Sequence, residues 1–217
     1  PLAVAGSRLL PADFNGDGRQ DILVLGPSSS DGEVLLLNNS DGTFTPAGDQ
    51  RFAPAEDRTR EAAIADFNRD GKLDFIQVRA SSGDIVVWLN NGAGVFTADH
   101  SVRVAGTQTI ALTDIDGDNW TDLVVAGGTS SDTLHIYRND QAGHLVHQRS
   151  FAGGHVVQLA AADFDGDGDN DFLAITGTAP AKLWRNNGSG VFTAIPLAQT
   201  FPGAGAALQL AVADLNN

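Results

Sequence analysis

The sequence predicts an all-β protein that is built from repeated four-stranded antiparallel sheets. An acidic segment of nine residues, first present as DFNGDGRQD at 13–21, recurs at intervals of 53, 48 and 49 residues, and a shorter copy, DLNN, begins 51 residues further on. The full copies are followed by the short apolar runs ILVL, FIQV, LVVA and FLAI, which are typical of buried strands. Recurrence at a period of about 50 residues indicates stacked or radially arranged units, each a single supersecondary motif.

Each repeat contains signals for four strands. An apolar run such as EAAIAD leads into the acidic segment, a second strand follows it, a third ends at an Asn-rich hairpin, and a fourth begins after that hairpin. Four antiparallel strands in about 50 residues form one blade of a β-propeller. We therefore predict a single propeller region over 1–217, with four complete repeats plus one terminal strand and with repeats that begin near residues 6, 59, 107, 156 and 207.

The acidic segments have the composition of a cation-binding loop. Positions 1, 3, 5 and 9 of each full copy are Asp or Asn, and position 6 is Gly except for Asn119 in the third copy. Oxygen ligands on alternate residues around a sharp turn suit Ca²⁺, whereas Zn²⁺ prefers His or Cys. An EF-hand is disfavoured, because position 12 is never Glu and because strands rather than helices follow. An acidic hairpin turn without metal stays open as the alternative.

The predicted ligands are the side chains at positions 1, 3, 5 and 9 and the main-chain carbonyl at position 7. We expect about four Ca²⁺ per chain, with the tightest binding in the third and fourth loops, where all four side-chain ligands are carboxylates. The twenty residues are Asp13, Asn15, Asp17, Arg19, Asp21, Asp66, Asn68, Asp70, Lys72, Asp74, Asp114, Asp116, Asp118, Trp120, Asp122, Asp163, Asp165, Asp167, Asp169 and Asp171.

A second recurring segment begins 21–23 residues after the start of each loop. Its copies are LLNNSDGTFT from Leu36, WLNNGAGVFT from Trp88, YRNDQAGHLV from Tyr137 and WRNNGSGVFT from Trp184; the third departs from the usual Phe-Thr ending. Together with the loops, this segment makes nearly the whole chain resemble the FG-GAP/VCBS repeats of integrin-α-like β-propellers. The resemblance implies rings that commonly have seven or eight blades.

Composition excludes several classes of function. The chain has 13 Lys and Arg residues and a formal net charge of −14, so no basic patch for nucleic acid is expected. No apolar run approaches the roughly 20 residues that a membrane span requires, and membrane insertion is not expected. No nucleophile elbow, Cys nucleophile or phosphate-binding Gly loop is present. We therefore expect no catalytic residues in this chain, although the sequence leaves open whether a longer parent protein is an enzyme.

The favoured function is a calcium-binding module for cell adhesion or for recognition of a protein or a glycan. Loops of this kind are filled at extracellular calcium concentrations, so we expect a secreted or cell-surface location. The alternatives are the scaffold of a secreted polysaccharide-active enzyme such as a lyase, or an architectural part of a surface assembly. The aromatic residues Trp88, Tyr137 and Trp184 share one third-strand position, where packing between blades is favoured over a carbohydrate-binding platform.

The ends of the sequence match incomplete blades. Residues 1–5 match the end of a fourth strand, and residues 208–217 match the first strand and the loop start of a fifth repeat. An open array exposes an apolar sheet face. We therefore expect the missing blades to come from another polypeptide or from a second copy of this chain.

Overall fold

The computed structural model describes residues 8–26, 33–48, 50, 52, 57–128, 133–177 and 180–197, and these residues form four antiparallel sheets of four strands each. The strands are β1 (Arg8–Ala12), β2 (Asp21–Leu25), β3 (Val34–Asn38), β4 (Phe44–Pro46), β5 (Thr59–Ala65), β6 (Asp74–Arg79), β7 (Asp84–Asn90), β8 (Phe96–Arg103), β9 (Thr109–Thr113), β10 (Asp122–Gly127), β11 (Thr133–Asn139), β12 (Leu145–Ala152), β13 (Val156–Ala162), β14 (Asp171–Thr176), β15 (Lys182–Arg185) and β16 (Thr193–Pro196).

The sheets follow chain order and confirm the predicted all-β class. Each contains four consecutive strands, and we number them blades one to four. In every blade the acidic loop joins the first two strands and the Asn-rich hairpin joins the last two. The matches predicted for residues 1–5 and for a fifth repeat near 207 lie outside the described residues.

The chain divides into two compact units, Pro1–Arg103 with blades one and two and Val104–Asn217 with blades three and four. A single propeller region over 1–217 stays a prediction. In the described ranges no helix is long and apolar enough to cross a membrane.

The acidic loops require left-handed backbone at two positions. At position 6, the three glycines and Asn119 have positive φ, with Asn119 at 66°, in a region that Asn tolerates better than most residues. Position 4 is also left-handed in every loop, and here the second loop has Arg69 at φ 55°. The spacing of the acidic residues alone does not reveal this second requirement.

In the first unit, the core lies between blades one and two. Phe14, the apolar residue at loop position 2, is buried and packs edge-on against Phe96 with the ring centroids 5.5 Å apart. Trp88 stacks on Phe75 and meets Phe52 edge-on at 5.2 Å. The loop of blade one is therefore anchored by its own buried side chain to the next blade.

The second unit has an equivalent core between blades three and four. Ile115, at position 2 of the third loop, belongs to the same buried cluster as Phe172 and Trp184. Trp88, Tyr137 and Trp184 are only 9, 6 and 8% exposed. Packing is thus the correct interpretation of this aromatic position, and the carbohydrate-binding platform is wrong because the ring faces are not accessible.

One hairpin asparagine in each unit joins neighbouring blades. The side-chain Nδ2 of Asn90 donates to the main-chain oxygen of Phe14 at 2.8 Å and to that of Leu73 at 3.0 Å. Asn186 makes the same pair of bonds, to Ile115 O at 2.6 Å and to Asn170 O at 3.0 Å. Each amide thus satisfies one carbonyl of its own loop and one of the preceding blade.

We expect Asn90→Asp to destabilise the first unit by about 2–3 kcal/mol, because a carboxylate oxygen would replace a buried donor that faces two carbonyls. Asn91→Asp is the matched control. Asn91 is exposed and uses only its Oδ1, as an acceptor of the Ala93 and Val95 N–H groups. Urea denaturation of both variants tests this, and equal stability of the two would contradict the proposed role of Asn90.

Candidate metal centre

The Asp at position 1 organises each acidic loop through hydrogen bonds from the main chain. Asp13 accepts the N–H groups of Gly16 and Gly18, both at 2.8 Å, and Asp163 accepts those of Gly166 and Gly168 at 2.7 and 3.0 Å. Desolvation raises the pKa of Asp13, but these N–H donors outweigh it, so that the net pKa lies below its ordinary value. The carboxylate of Asp13 is therefore held in its charged form.

The carboxylate at position 5 accepts the main-chain N–H of position 7 in all four loops, at 2.9–3.0 Å. In the first two loops the position-7 side chain also pairs with it: Arg19 with Asp17, and Lys72 Nζ with Asp70 Oδ2 at 3.0 Å. The main-chain carbonyls of Arg19, Lys72, Trp120 and Asp169 stay predicted ligands.

The Asp at position 9 is buried and closes the loop onto the sheet. Asp122 is 1% exposed; its Oδ2 accepts the N–H of Ile115 at 2.9 Å and its Oδ1 accepts that of Asn139 at 2.7 Å. The other three copies make the same two bonds, to the residue at loop position 2 and to the hairpin asparagine. This Asp therefore has a structural role besides its predicted ligand role.

Burial disfavours the charged form of the position-9 carboxylate in the second and third loops. Desolvation, together with the nearby carboxylates at positions 5 and 1, raises the pKa of Asp74 and of Asp122 to about 6, although the backbone N–H donors oppose the shift. A cation between these carboxylates would remove the repulsion and favour ionisation. The electrostatics of the loops thus suit a positively charged ligand.

Three carboxylates converge in each of the third and fourth loops. Asp114, Asp116 and Asp122 each offer an oxygen within 4.8 Å of the others, and so do Asp163, Asp165 and Asp171. Oxygens bound at 2.3–2.6 Å on opposite sides of a Ca²⁺ ion are about 5 Å apart, so both groups fit one coordination sphere. The position-5 residues Asp118 and Asp167 are not members of these groups.

The first two loops have an amide instead of a carboxylate at position 3. Asn15 Oδ1 and Asn68 Oδ1 each accept the N–H of the position-5 residue at 3.1 Å. Within the described residues, no comparable group of three carboxylates is found in these two loops. Their fit to Ca²⁺ therefore rests on the repeated ligand pattern.

Two arginines next to these groups were missed by sequence reasoning. Arg138 pairs with Asp116 and Arg185 pairs with Asp165, in each case at loop position 3. The sequence does contain a signal for them. Each Arg directly follows the aromatic residue of its own third strand, and an Arg occurs at this place only in the two repeats whose loop position 3 is Asp.

Three histidines of blade three make side-chain contacts in and around β12. His144 Nδ1 lies 3.0 Å from Asp140 Oδ2, whereas His147 Nε2 lies 2.8 Å from Ser150 Oγ. The hydroxyl of Ser150 also lies 2.9 Å from His135 Nδ1. His144 and His147 therefore contact different side chains.

A cavity lies beside the first two loops in the first unit. It has a volume of about 470 Å³ and is lined by residues of both loops and of the blade-two hairpin, with Asp13, Lys72, Asn90 and Asn91 among them. Charged, amide and backbone groups therefore face a space at the loop end of these two blades.

The sequence matches the model of a known repeat family. The model of the FG-GAP-like repeat matches residues 13–77, 114–174 and 163–217. Human integrin alpha-7 is 25% identical over 166 residues, which cover 68% of this chain and 14% of the integrin.

Solved structures with the same fold include proteins of different function. One is a lectin from Agrocybe aegerita described as specifically recognising non-reducing terminal N-acetylglucosamine, with a TM-score of 0.60 and 23% identity over 90% of this chain and 53% of the lectin. Another is an exo-beta-1,3-galactanase from Phanerochaete chrysosporium, with a TM-score of 0.56 and 12% identity over 90% of this chain and 50% of the enzyme. At these identities the similarity shows the β-propeller fold alone, and the chain spans about half of each structure.

Proposed function

The chain belongs to the FG-GAP-like repeat family, and from this premise we propose that it is a calcium-binding module of an extracellular or cell-surface protein, with a role in adhesion or in recognition of a protein or a glycan. The observation that carries the proposal is the convergence of three carboxylates in each of two loops, at a separation that suits one Ca²⁺. Because the first two blades contain loops of the same pattern, we propose about four Ca²⁺ ions per chain.

In this proposal calcium supplies the positive charge that keeps the carboxylates of one loop together. The protein contributes the fixed geometry: position 1 holds the loop turns, position 9 ties the loop to the hairpin, and in the first three loops the residue at position 2 is buried. Calcium would thereby make the loop end of each blade a defined surface. Millimolar calcium, as found outside cells, suits loops of this class.

The similarity to integrin alpha-7 supports a role in adhesion, and the similarity in fold to the Agrocybe aegerita lectin makes a glycan a reasonable ligand class. The cavity lined by Asp13, Lys72 and Asn91 is the candidate place for ligand contact. No nucleic-acid or membrane-inserting role is proposed. We also propose that further blades of the propeller are supplied by another chain or by a second copy of this chain.

The second candidate function is the scaffold of a secreted polysaccharide-active enzyme, and the fold shared with the exo-beta-1,3-galactanase favours it. In that case the catalytic groups would lie outside the residues assigned here to metal binding and packing. An architectural part of a surface assembly is the remaining alternative.

Binding of the purified protein to a glycan array and to a panel of extracellular matrix proteins, in millimolar calcium and in excess chelator, tests the proposal. We expect calcium-dependent binding without turnover, and Lys72→Ala should weaken it if the cavity is the contact surface. Release of product from a polysaccharide would favour the enzyme scaffold. Absence of any calcium-dependent binding would contradict the recognition function.

A further inference from the structure

Arginine side chains lie against the position-3 carboxylates of blades three and four. The guanidinium of Arg138, from β11, pairs with Asp116 Oδ2, and that of Arg185, from β15, pairs with Asp165 Oδ2. Each arginine thus reaches from the third strand of its blade into the loop that joins the first two strands.

These pairs follow a rule across the four repeats. Blades one and two have Leu37 and Leu89 where the other blades have arginine, and their loops have Asn rather than Asp at position 3. Each loop of blades one and two has three carboxylates among its predicted side-chain ligands. Each loop of blades three and four has four carboxylates, and a guanidinium lies against one of them. The additional carboxylate therefore comes with its own counter-charge in both blades.

In blade three, the Oδ1 atom of Asp116 is available for a further ligand. The side chain of Asp116 is 5% exposed, and its Oδ1 has no hydrogen-bond partner within the described part of the chain. Oxygens of Asp114 and Asp122 lie within 4.8 Å of the Asp116 oxygen in this group. A buried carboxylate with one oxygen against a guanidinium and one unpaired oxygen in an acidic cluster points to a second, cationic ligand.

We propose that Arg138 and Arg185 lower the calcium affinity of the third and fourth loops and bring it into the range of the first two loops. This inference rests on the proposed calcium binding. The guanidinium repels the divalent ion and competes with it for the position-3 carboxylate. This proposal replaces the expectation that the third and fourth loops bind calcium most tightly, which was based on their number of carboxylates.

The third loop offers a site-specific measurement, because its position 7 is Trp120, whereas Trp88 and Trp184 lie in strands. Tb³⁺ binds to oxygen-ligand calcium sites and emits when a nearby tryptophan is excited. Titration of each variant with Tb³⁺ gives its Tb³⁺ Kd, and displacement by Ca²⁺, corrected for that Kd, then gives the calcium Kd of this loop. Trp120→Phe measures the emission that arises elsewhere.

We expect Arg138→Leu, which introduces the residue found in blades one and two, to lower the calcium Kd of the third loop about tenfold. Asp116→Asn should raise it about tenfold, and the double variant should return to within about threefold of the wild type, because it recreates the Asn–Leu pairing of the other blades. Arg103→Leu is the control for net charge, since Arg103 is 70% exposed and its partner is Asp84, at the start of β7. Arg138→Gln serves as a second uncharged variant.

An unchanged calcium affinity in folded Arg138→Leu and Arg138→Gln would overturn the role of the arginine while leaving calcium binding intact. Wild-type emission that calcium does not displace would overturn calcium binding in the third loop and, with it, this inference. The two failures are thus distinguishable.

Discussion

Chelation of calcium is expected to lower the melting temperature of this protein by at least about 10 °C, and added calcium should restore it. An ion that binds only the folded state stabilises it by about 2.7 kcal/mol per site at 100 times the Kd. Each unit carries two loops, and about 1 kcal/mol shifts the melting temperature of a domain of roughly 100 residues by about 4–8 °C. Differential scanning calorimetry in calcium and in excess chelator measures the effect.

Magnesium at the same concentration is the control for ionic strength, and it should restore much less stability because it accepts these multi-carboxylate loops poorly. An unchanged melting curve in excess chelator would mean that the loops are acidic turns held by their own hydrogen bonds. That alternative is physically reasonable, since the carboxylates at positions 1, 5 and 9 all accept main-chain N–H groups.

Asp122→Asn should destabilise the second unit by about 3 kcal/mol even in excess chelator. Both oxygens of Asp122 accept buried main-chain N–H groups, and the NH₂ of asparagine would face one of those donors. Asp118→Asn is the matched control, because an amide oxygen can still accept the N–H of Trp120. Asp118→Asn should therefore lower stability in calcium but change it little in chelator.

Chemical denaturation of both variants in calcium and in chelator separates the structural role of position 9 from its predicted ligand role. If Asp122→Asn matched the wild type in chelator, the two buried hydrogen bonds would not contribute as the structure indicates. If Asp118→Asn were equally destabilising in both conditions, position 5 would support the turn rather than a metal ion.

Much of the fold could be predicted from the sequence because each repeat contains local signals. The order of four strands, the loop between the first two strands and the hairpin between the last two follow from the spacing of the acidic segments and apolar runs. The positive φ of Asn119 could be predicted as well, since it occupies the position that is Gly in the other loops. Such features depend on only a few neighbouring residues.

Contacts between distant segments could not be predicted in this way. The bonds from Asn90 to Phe14 O and from Asn186 to Ile115 O join residues 76 and 71 positions apart. Phe52 is 1% exposed in the first core although it lies outside the sixteen strands. In each case the side chain acquires its role only when two blades pack together.

In the candidate metal site, too, the local features could be predicted from the sequence and the contacts with distant segments could not. The acidic pattern predicts which side chains a cation would contact, and two of the four loops bring three of those carboxylates together. The pattern does not reveal that position 9 is a buried acceptor of two main-chain N–H groups, or that Arg138 pairs with Asp116. Both facts depend on the third strand, which is distant in sequence from the loop and adjacent to it in the sheet.

Isothermal titration of the metal-free protein with calcium directly tests calcium binding by the four loops. We expect about four ions per chain, and each alanine substitution of Asp17, Asp70, Asp118 or Asp167 at loop position 5 should weaken or remove binding at one of them. No heat of binding at millimolar calcium, together with unchanged stability, would contradict calcium binding by these loops.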